Sequence, residues 1–180
     1  MMNNTVIIRQ ETPGDFYQVS EVIKRAFEKK EESDHTEQDL VSRLRQSDSG
    51  IPELSLVAST GYGQIIGHIL LSKAEVVAPN GIFTVLALAP LSVIPEFQRM
   101  GIGGMLIRAA HKRAANLGYK AVILLGHKDY YPRFGYKKAS QFGIKFPFDV
   151  PDDYCMVAEL AAGALNNIHG MVHYPDAFCL

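Results

Sequence analysis

Cysteine is scarce in this sequence of 180 residues, limited to Cys155 and Cys179. No short spacing pairs them as metal ligands or as a redox dithiol, so they read as reduced, structural residues and no metal is expected. An excess of either charge is also missing. Lys and Arg number 18 against 19 Asp and Glu, a formal net charge of -1, and the two signs are interspersed. Such a surface has no field to gather nucleic acid. No segment approaches the roughly 20 apolar residues of a membrane span, and the start MMNNTVIIRQ lacks the basic and apolar stretches of a signal peptide. A cytoplasmic protein without a membrane partner is expected. Repeats, low-complexity tracts and linkers are absent too. What is present is ordinary globular material, 47% hydrophobic and 21% charged. That length suits one domain over residues 1–180.

The chain alternates between two periods. Val6 to Arg9 is β-branched, and Thr12-Pro13-Gly14-Asp15 follows as a helix start: a capping Thr, a first-turn Pro and an acid three residues on. Phe16, Val19, Val22, Ile23, Ala26 and Phe27 then make one helical stripe. Thr36 and Asp39 repeat the signature ahead of Leu40, Val41 and Leu44, which predicts a second helix to about Arg45. Leu54–Ser59 and Gln64–Lys73 read as strands around a Thr60-Gly61-Tyr62-Gly63 loop, with a bulge expected at Gly67. After the Ala78-Pro79-Asn80-Gly81 turn, Ile82 to Ile94 is a buried strand that Pro90 and Pro95 interrupt. A helix from about Gly103 to Leu117, closed by Gly118, and a strand from Ala121 to Leu125 complete a strand-helix-strand unit, hence a parallel pair. Tyr130 to Phe134 predicts a short helix ended by Gly135. Tyr136–Lys145 and Tyr154–Leu160 read as an antiparallel pair, and the remaining tail packs on the sheet. A long exposed strand edge near the C-terminus would support a homodimer.

The chemistry concentrates in Leu91-Ser92-Val93-Ile94-Pro95-Glu96-Phe97-Gln98-Arg99-Met100-Gly101-Ile102-Gly103-Gly104, a strand, a loop and a helix start. Glycines where a helix begins leave unpaired N–H groups and the positive dipole end open to a diphosphate, and Arg99 adds a cation. A dinucleotide fingerprint would need glycine at Leu106 and an acid about 20 positions onward, near Lys120 to Ile123; neither occurs. The phosphate-loop Gly-Lys-Ser/Thr is absent as well.

Gln98-Arg99-Met100-Gly101-Ile102-Gly103 resembles the Gln/Arg-x-x-Gly-x-Gly/Ala motif of the GCN5-related N-acetyltransferase (GNAT) family, and the order of elements is similar along nearly the whole chain. Leu86–Ile107 and Leu124–Gly135 look more closely like its YhbS-like branch. The resemblance implies an α+β fold: a central mixed, mostly antiparallel sheet with a splayed parallel strand pair, flanked by helices. It implies acetyl-CoA as acyl donor, with Leu91, Ser92 and Val93 lending backbone groups to the pantetheine and acyl carbonyl. The amides of Arg99, Met100, Gly101, Ile102, Gly103 and Gly104, after Gln98, would cradle the diphosphate.

Tyr130-Tyr131-Pro132-Arg133-Phe134-Gly135-Tyr136 is similar to the family's Phe-Tyr-x-x-x-Gly-Phe element, which puts Tyr131 where a phenol protonates the departing thiolate. The proton acceptor for the amine stays open among His127, Asp129, Glu37, His35 and water. So does the acceptor itself, a small or peptidyl amine, and whether the acyl group is acetyl or larger. A non-catalytic acyl-CoA sensor or an interaction domain on the same fold stands as the alternative.

Overall fold

The computed structural model describes residues 5–179. Residues 1–4 and 180, included in the single-domain reading, lie outside them. Strand β1 (Val6–Gln10) leads through a turn at Pro13–Asp15 into α1 (Phe16–Phe27). The cap works as the sequence requires: Thr12 donates from its N–H and its hydroxyl to one Asp15 oxygen, at 2.8 and 2.9 Å, while Arg9 grips both oxygens at 2.6 and 2.9 Å. These partners, Arg9 first, hold the Asp15 carboxyl well below the usual carboxylate range. Helix α1 buries Val19, Val22, Ile23 and Ala26, and α2 (Glu37–Arg45) buries Val41 and Leu44.

Strands β2 (Ser55–Thr60) and β3 (Ile65–Ala78) pair antiparallel. Their register slips where Ala58 faces Gly67 but Ser59 faces Ile65, so the extra residue is Ile66, beside the glycine. Strand β3 outruns its predicted end by five residues and turns at Pro79-Asn80 into β4 (Gly81–Val93). Helix α3 (Ile102–Asn116) then crosses back to β5 (Ala121–Leu125), parallel to β4. After β5 come the short strands β6 (Lys137–Lys138) and β7 (Ile144–Lys145), then β8 (Cys155–Glu159) and β9 (Gly170–His173). The main path of the sheet is β1-β2-β3-β4-β5-β8-β6, with β9 against the far half of β3 and β7 beside β9. A mixed, mostly antiparallel sheet between helices is therefore observed.

The C-terminal third departs from expectation. Tyr136–Lys145 does not form one strand against Tyr154–Leu160; only Lys137 and Lys138 pair there, with Val157 and Met156. Ala139–Phe142 winds into a 3-10 turn that Gly143 ends at φ 70°, a conformation that stops a strand. Strand β7 runs parallel to β9 instead, and β9 lies antiparallel to Glu75–Val77. At Gly170 the approach is so close that a Cβ would meet the Val77 carbonyl carbon at 2.7 Å. The long C-terminal edge expected from sequence is thus divided between two-residue strands.

A polar chain, buried except at its Arg45 end, crosses the sheet beneath α1 and α2. Arg45 of α2 pairs with Glu11, Ser55 of β2 donates to Glu11 Oε2 at 2.7 Å, and His68 of β3 places Nε2 3.0 Å from the Ser55 oxygen. The one Ser55 proton goes to the carboxylate, so Nε2 must carry the imidazole hydrogen. On the other face of the sheet, His111 of α3 shares a 2.7 Å bond with the buried Tyr136 hydroxyl. Burial, and for His68 also Arg45, depresses both imidazoles, His68 to about 3 and His111 to about 4.

These shifts fix a pH dependence. A histidine ordinarily near 6.5 that stays neutral in the fold binds fewer protons there than in the unfolded chain, so stability is complete above 6.5 and falls as pH drops towards 4. Each of the two should cost about 2 kcal/mol between pH 7 and pH 5. The Asp15 contribution is untouched in that window, because it is lost only below the normal carboxylate range. Urea unfolding at the two pH values should show a loss of about 4 kcal/mol; equal stability would mean that the imidazoles are not held neutral.

Candidate active site

Strands β4 and β5 pair only through Leu86 with Val122 and Ala87 with Ile123. Immediately beyond, the β4 register against β3 slips between Leu88 and Leu91, where Ala89 and Pro90 together stand opposite Leu70 alone, one extra residue on β4. A bulge bends its strand and raises the local twist, and proline offers no donor. From there β4 keeps β3 on one side and, among the described residues, has no strand on the other. The Ile94 N–H donates to the Ile66 carbonyl at 3.0 Å, so by strand alternation the N–H and C=O of Leu91 and Val93 turn away from β3, into the splay. Their side chains face α3. Ser92 points to the opposite face with His68, its register partner.

The loop after β4 is anchored from two directions. Arg25 of α1 pairs with Glu96, and the Gln98 side chain folds back to donate to the Val93 carbonyl at 2.8 Å. Of the groups that sequence assigned to a cofactor, the Gln98 amide thus braces the loop and occupies the Val93 C=O, while the Val93 N–H faces the splay without a strand partner. Arg99 at φ 63° and Gly101 at φ 82° turn the chain into α3. Met105 N–H is the first to donate in the helical pattern, to the Gly101 carbonyl at 3.0 Å. The N–H groups of Ile102, Gly103 and Gly104 are therefore outside the helical ladder, and the first turn holds no acidic residue. Met100, Arg99 and Gly101 are exposed beside them. An anion meets aligned donors and a cation here with no carboxylate in the helix's first turn, and the nearby Glu96 is paired with Arg25.

Both glycines serve a second purpose. A Cβ on Gly103 would lie 2.6 Å from the Tyr130 hydroxyl, and one on Gly104 would lie 3.2 Å from the Phe134 ring. Their absent side chains let the aromatic turn Tyr131–Phe134, capped by Gly135 at φ 89°, dock on the start of α3. Tyr131 is wedged in this contact. Its ring meets Tyr130 and Tyr136 edge-on, at 5.0 and 5.6 Å, and lies against Gly126, where a Cβ would sit 2.8 Å from ring Cδ2 and collide with Cε2. Burial raises the Tyr131 phenol, more than it raises the half-exposed Tyr130, which Arg133 and Arg108 pull back down.

The four candidate bases are less closely gathered. His127 is exposed, lies edge-on to Tyr154, and its carbonyl accepts the Tyr130 and Tyr131 N–H groups, so its main chain caps the aromatic turn. The Asp129 carbonyl takes an Arg133 bond at 3.3 Å. Glu37 and the His35 N–H both meet the Ser33 hydroxyl, and His35 sits at φ 61°. No side chain of these four bonds Tyr131 among the described residues. His68 and His111 have no metal-like spacing in the sequence, and the pattern that marks them is a lone histidine inside an apolar stripe. Among the described residues no cluster of three His, Cys, Asp or Glu side chains could hold a metal.

This geometry has relatives. The profile of the acetyltransferase (GNAT) domain matches residues 7–139. Among curated proteins, the uncharacterized N-acetyltransferase YjhQ of Escherichia coli K12 is 38% identical over 142 residues, 78% of this chain and 75% of its own length. The uncharacterized N-acetyltransferase YhbS of the same strain is 30% identical over 173 residues, 96% of this chain and 98% of its own. The crystal structure of Escherichia coli YhbS in complex with CoA superposes with a TM-score of 0.87 at 29% identity, covering 99% of this chain and 93% of that one. A GNAT acetyltransferase from Brucella melitensis in complex with acetyl-CoA gives 0.78 at 30% identity, covering 97% and 99%. Profile, sequence and fold agree over most of the chain, which belongs to the GNAT family of acetyltransferases.

Proposed function

We propose that this chain, as a single domain, transfers an acetyl group from acetyl-CoA to a primary amine by direct attack. The observation that carries the reading is the open edge of β4 running into an α3 start with three free amides and no acid. Leu91 and Val93 offer main-chain groups where a pantetheine arm can lie like an added strand, and the amides of residues 99–104 suit its diphosphate. Two structural relatives were crystallised in complex with CoA or acetyl-CoA.

In this mechanism the Val93 N–H donates to the thioester oxygen as it gains negative charge. A neutral amine adds to the carbonyl carbon, the C–S bond breaks, and Tyr131 gives its proton to the thiolate. The amine's surplus proton leaves through water or one of His127, Asp129, Glu37 and His35. Burial keeps Tyr131 protonated at neutral pH, and the same dry setting raises the basicity of the thiolate beside it, so the transfer does not depend on an acidic phenol. The acceptor is a small or peptidyl amine.

Thermal unfolding with acetyl-CoA, CoA, NAD or ATP tests the donor. At about 100 times the dissociation constant a ligand adds about 2.7 kcal/mol, several degrees for this length; only the CoA species should do so, and no shift at millimolar concentration would overturn the reading. Tyr131→Phe should keep that shift yet lower kcat by about 100-fold or more. Unchanged turnover would remove Tyr131 from the reaction. Gly126→Ala, which displaces the Tyr131 ring, is expected to cost about 1 to 3 kcal/mol of stability and to lower kcat while leaving the acetyl-CoA shift in place; full activity would show that the ring's position is immaterial.

A further inference from the structure

Five buried side-chain atoms have no hydrogen-bond partner among the described residues, and two of them belong to residues directly opposed across the β3 and β4 ladder: His68 Nδ1 and Ser92 Oγ. Both residues are closed to solvent, at 0% and 1% exposure. Their roles are complementary. His68 carries its hydrogen on Nε2, directed at Ser55, so Nδ1 is a bare acceptor. Ser92 has a hydroxyl hydrogen and two lone pairs without a partner. Opposed side chains on one sheet face stand about 5 Å apart at Cβ, which puts both atoms within reach of one shared oxygen. Buried polar groups of this kind are ordinarily satisfied by protein or ordered water.

We propose that His68 Nδ1 and Ser92 Oγ hold one buried water between them, and that this bridge makes His68 a positioning residue for the cleft segment of β4. Ser92 lies between Leu91 and Val93, on the stretch where β4 has lost β5 and its main chain is anchored by β3 alone. The bridge ties that stretch to the Arg45–Glu11–Ser55–His68 chain, itself fixed by an ion pair and two hydrogen bonds. The Val93 N–H is thereby held at a set depth in the splay. The water site stands on hydrogen-bond accounting alone; the positioning role rests on the proposed use of Val93 in acetyl transfer.

The test reads the two parts separately. In a crystal structure of the full chain at a resolution that shows ordered water, an oxygen within about 3.2 Å of both atoms is expected, and ¹⁵N spectra should show Nε2 protonated and Nδ1 bare. A dry gap, a direct His68–Ser92 bond or the opposite tautomer would overturn the site, and none of these readouts needs turnover. Ser92→Ala is then expected to lower kcat about fivefold with KM for acetyl-CoA unchanged, and to move the His68 Nδ1 resonance. An unchanged kcat, or a matching rise in KM, would overturn the positioning role. Should no acceptor give turnover in the unmodified protein, the Val93 amide exchange rate replaces kcat: faster exchange in Ser92→Ala supports the role, and an unchanged rate overturns it.

Discussion

Parallel pairing between β4 and β5 lasts for two residues on each strand and then stops. Everything that makes a site of this fold follows from that interruption. A fully paired central strand would spend all of its N–H and C=O groups on its neighbours. Here the Ala89–Pro90 bulge bends β4 just past the last paired residue, and β5 ends at Leu125 with its other side fully engaged by β8. Leu91 and Val93 are left with main-chain groups facing a cleft in the middle of the sheet, where a ligand can bond to backbone without unfolding anything.

The cleft would be only a gap without the packing around it. On one side, α3 begins at its mouth because Gly101 reverses the chain there, and the glycines that follow let the aromatic turn close against the helix. Tyr131 is placed by contacts that run through Tyr136 to His111 on that same helix. The glycine turn at the start of α3 and the candidate acid therefore share one rigid support. On the other side, the His68 chain braces β3 beneath the open stretch of β4. Each histidine stays neutral because burial makes its charged form costly, and acid lability comes with that arrangement.

Much of this was legible in the residues. The Thr12–Asp15 helix start, the stripe from Val19 to Ala26, the Pro79-Asn80 turn and the loop-to-helix position of Gln98–Gly104 are local signals, decided within a few residues of themselves, and they fall where expected; at Thr36 the helix begins on time, but the hydroxyl donates to Asp34 and does not cap it. The bulge near Gly67 and the break at Pro90 were legible for the same reason. Failures came where a distant segment decides. The apolar alternation after Tyr136 looks like a long strand until Gly143 turns left-handed and β9, arriving from nearly 30 residues later, takes Ile144 and Lys145 as its neighbours. Strand β3 ran on past Lys73 because β9 and β4 flank its far half. Nor could spacing reveal that Ser55, His68 and Glu11 meet, since the contact depends on the register of three strands. At the site, the motif identified the loop, but the return of the Gln98 side chain to Val93 and the clearance between Gly103 and Tyr130 appear only in three dimensions.

The central claim is that the unpaired edge of β4 and the start of α3 together receive a CoA ester. Residue-resolved amide hydrogen exchange, with and without CoA, addresses it most directly, because the groups concerned are themselves N–H donors. Slowed exchange confined to Leu91, Val93 and the amides from Arg99 to Gly104, with the β1–β2 pair unchanged, is the expected result. Protection that bypassed Val93 and the α3 start, or fell on another surface, would contradict the account.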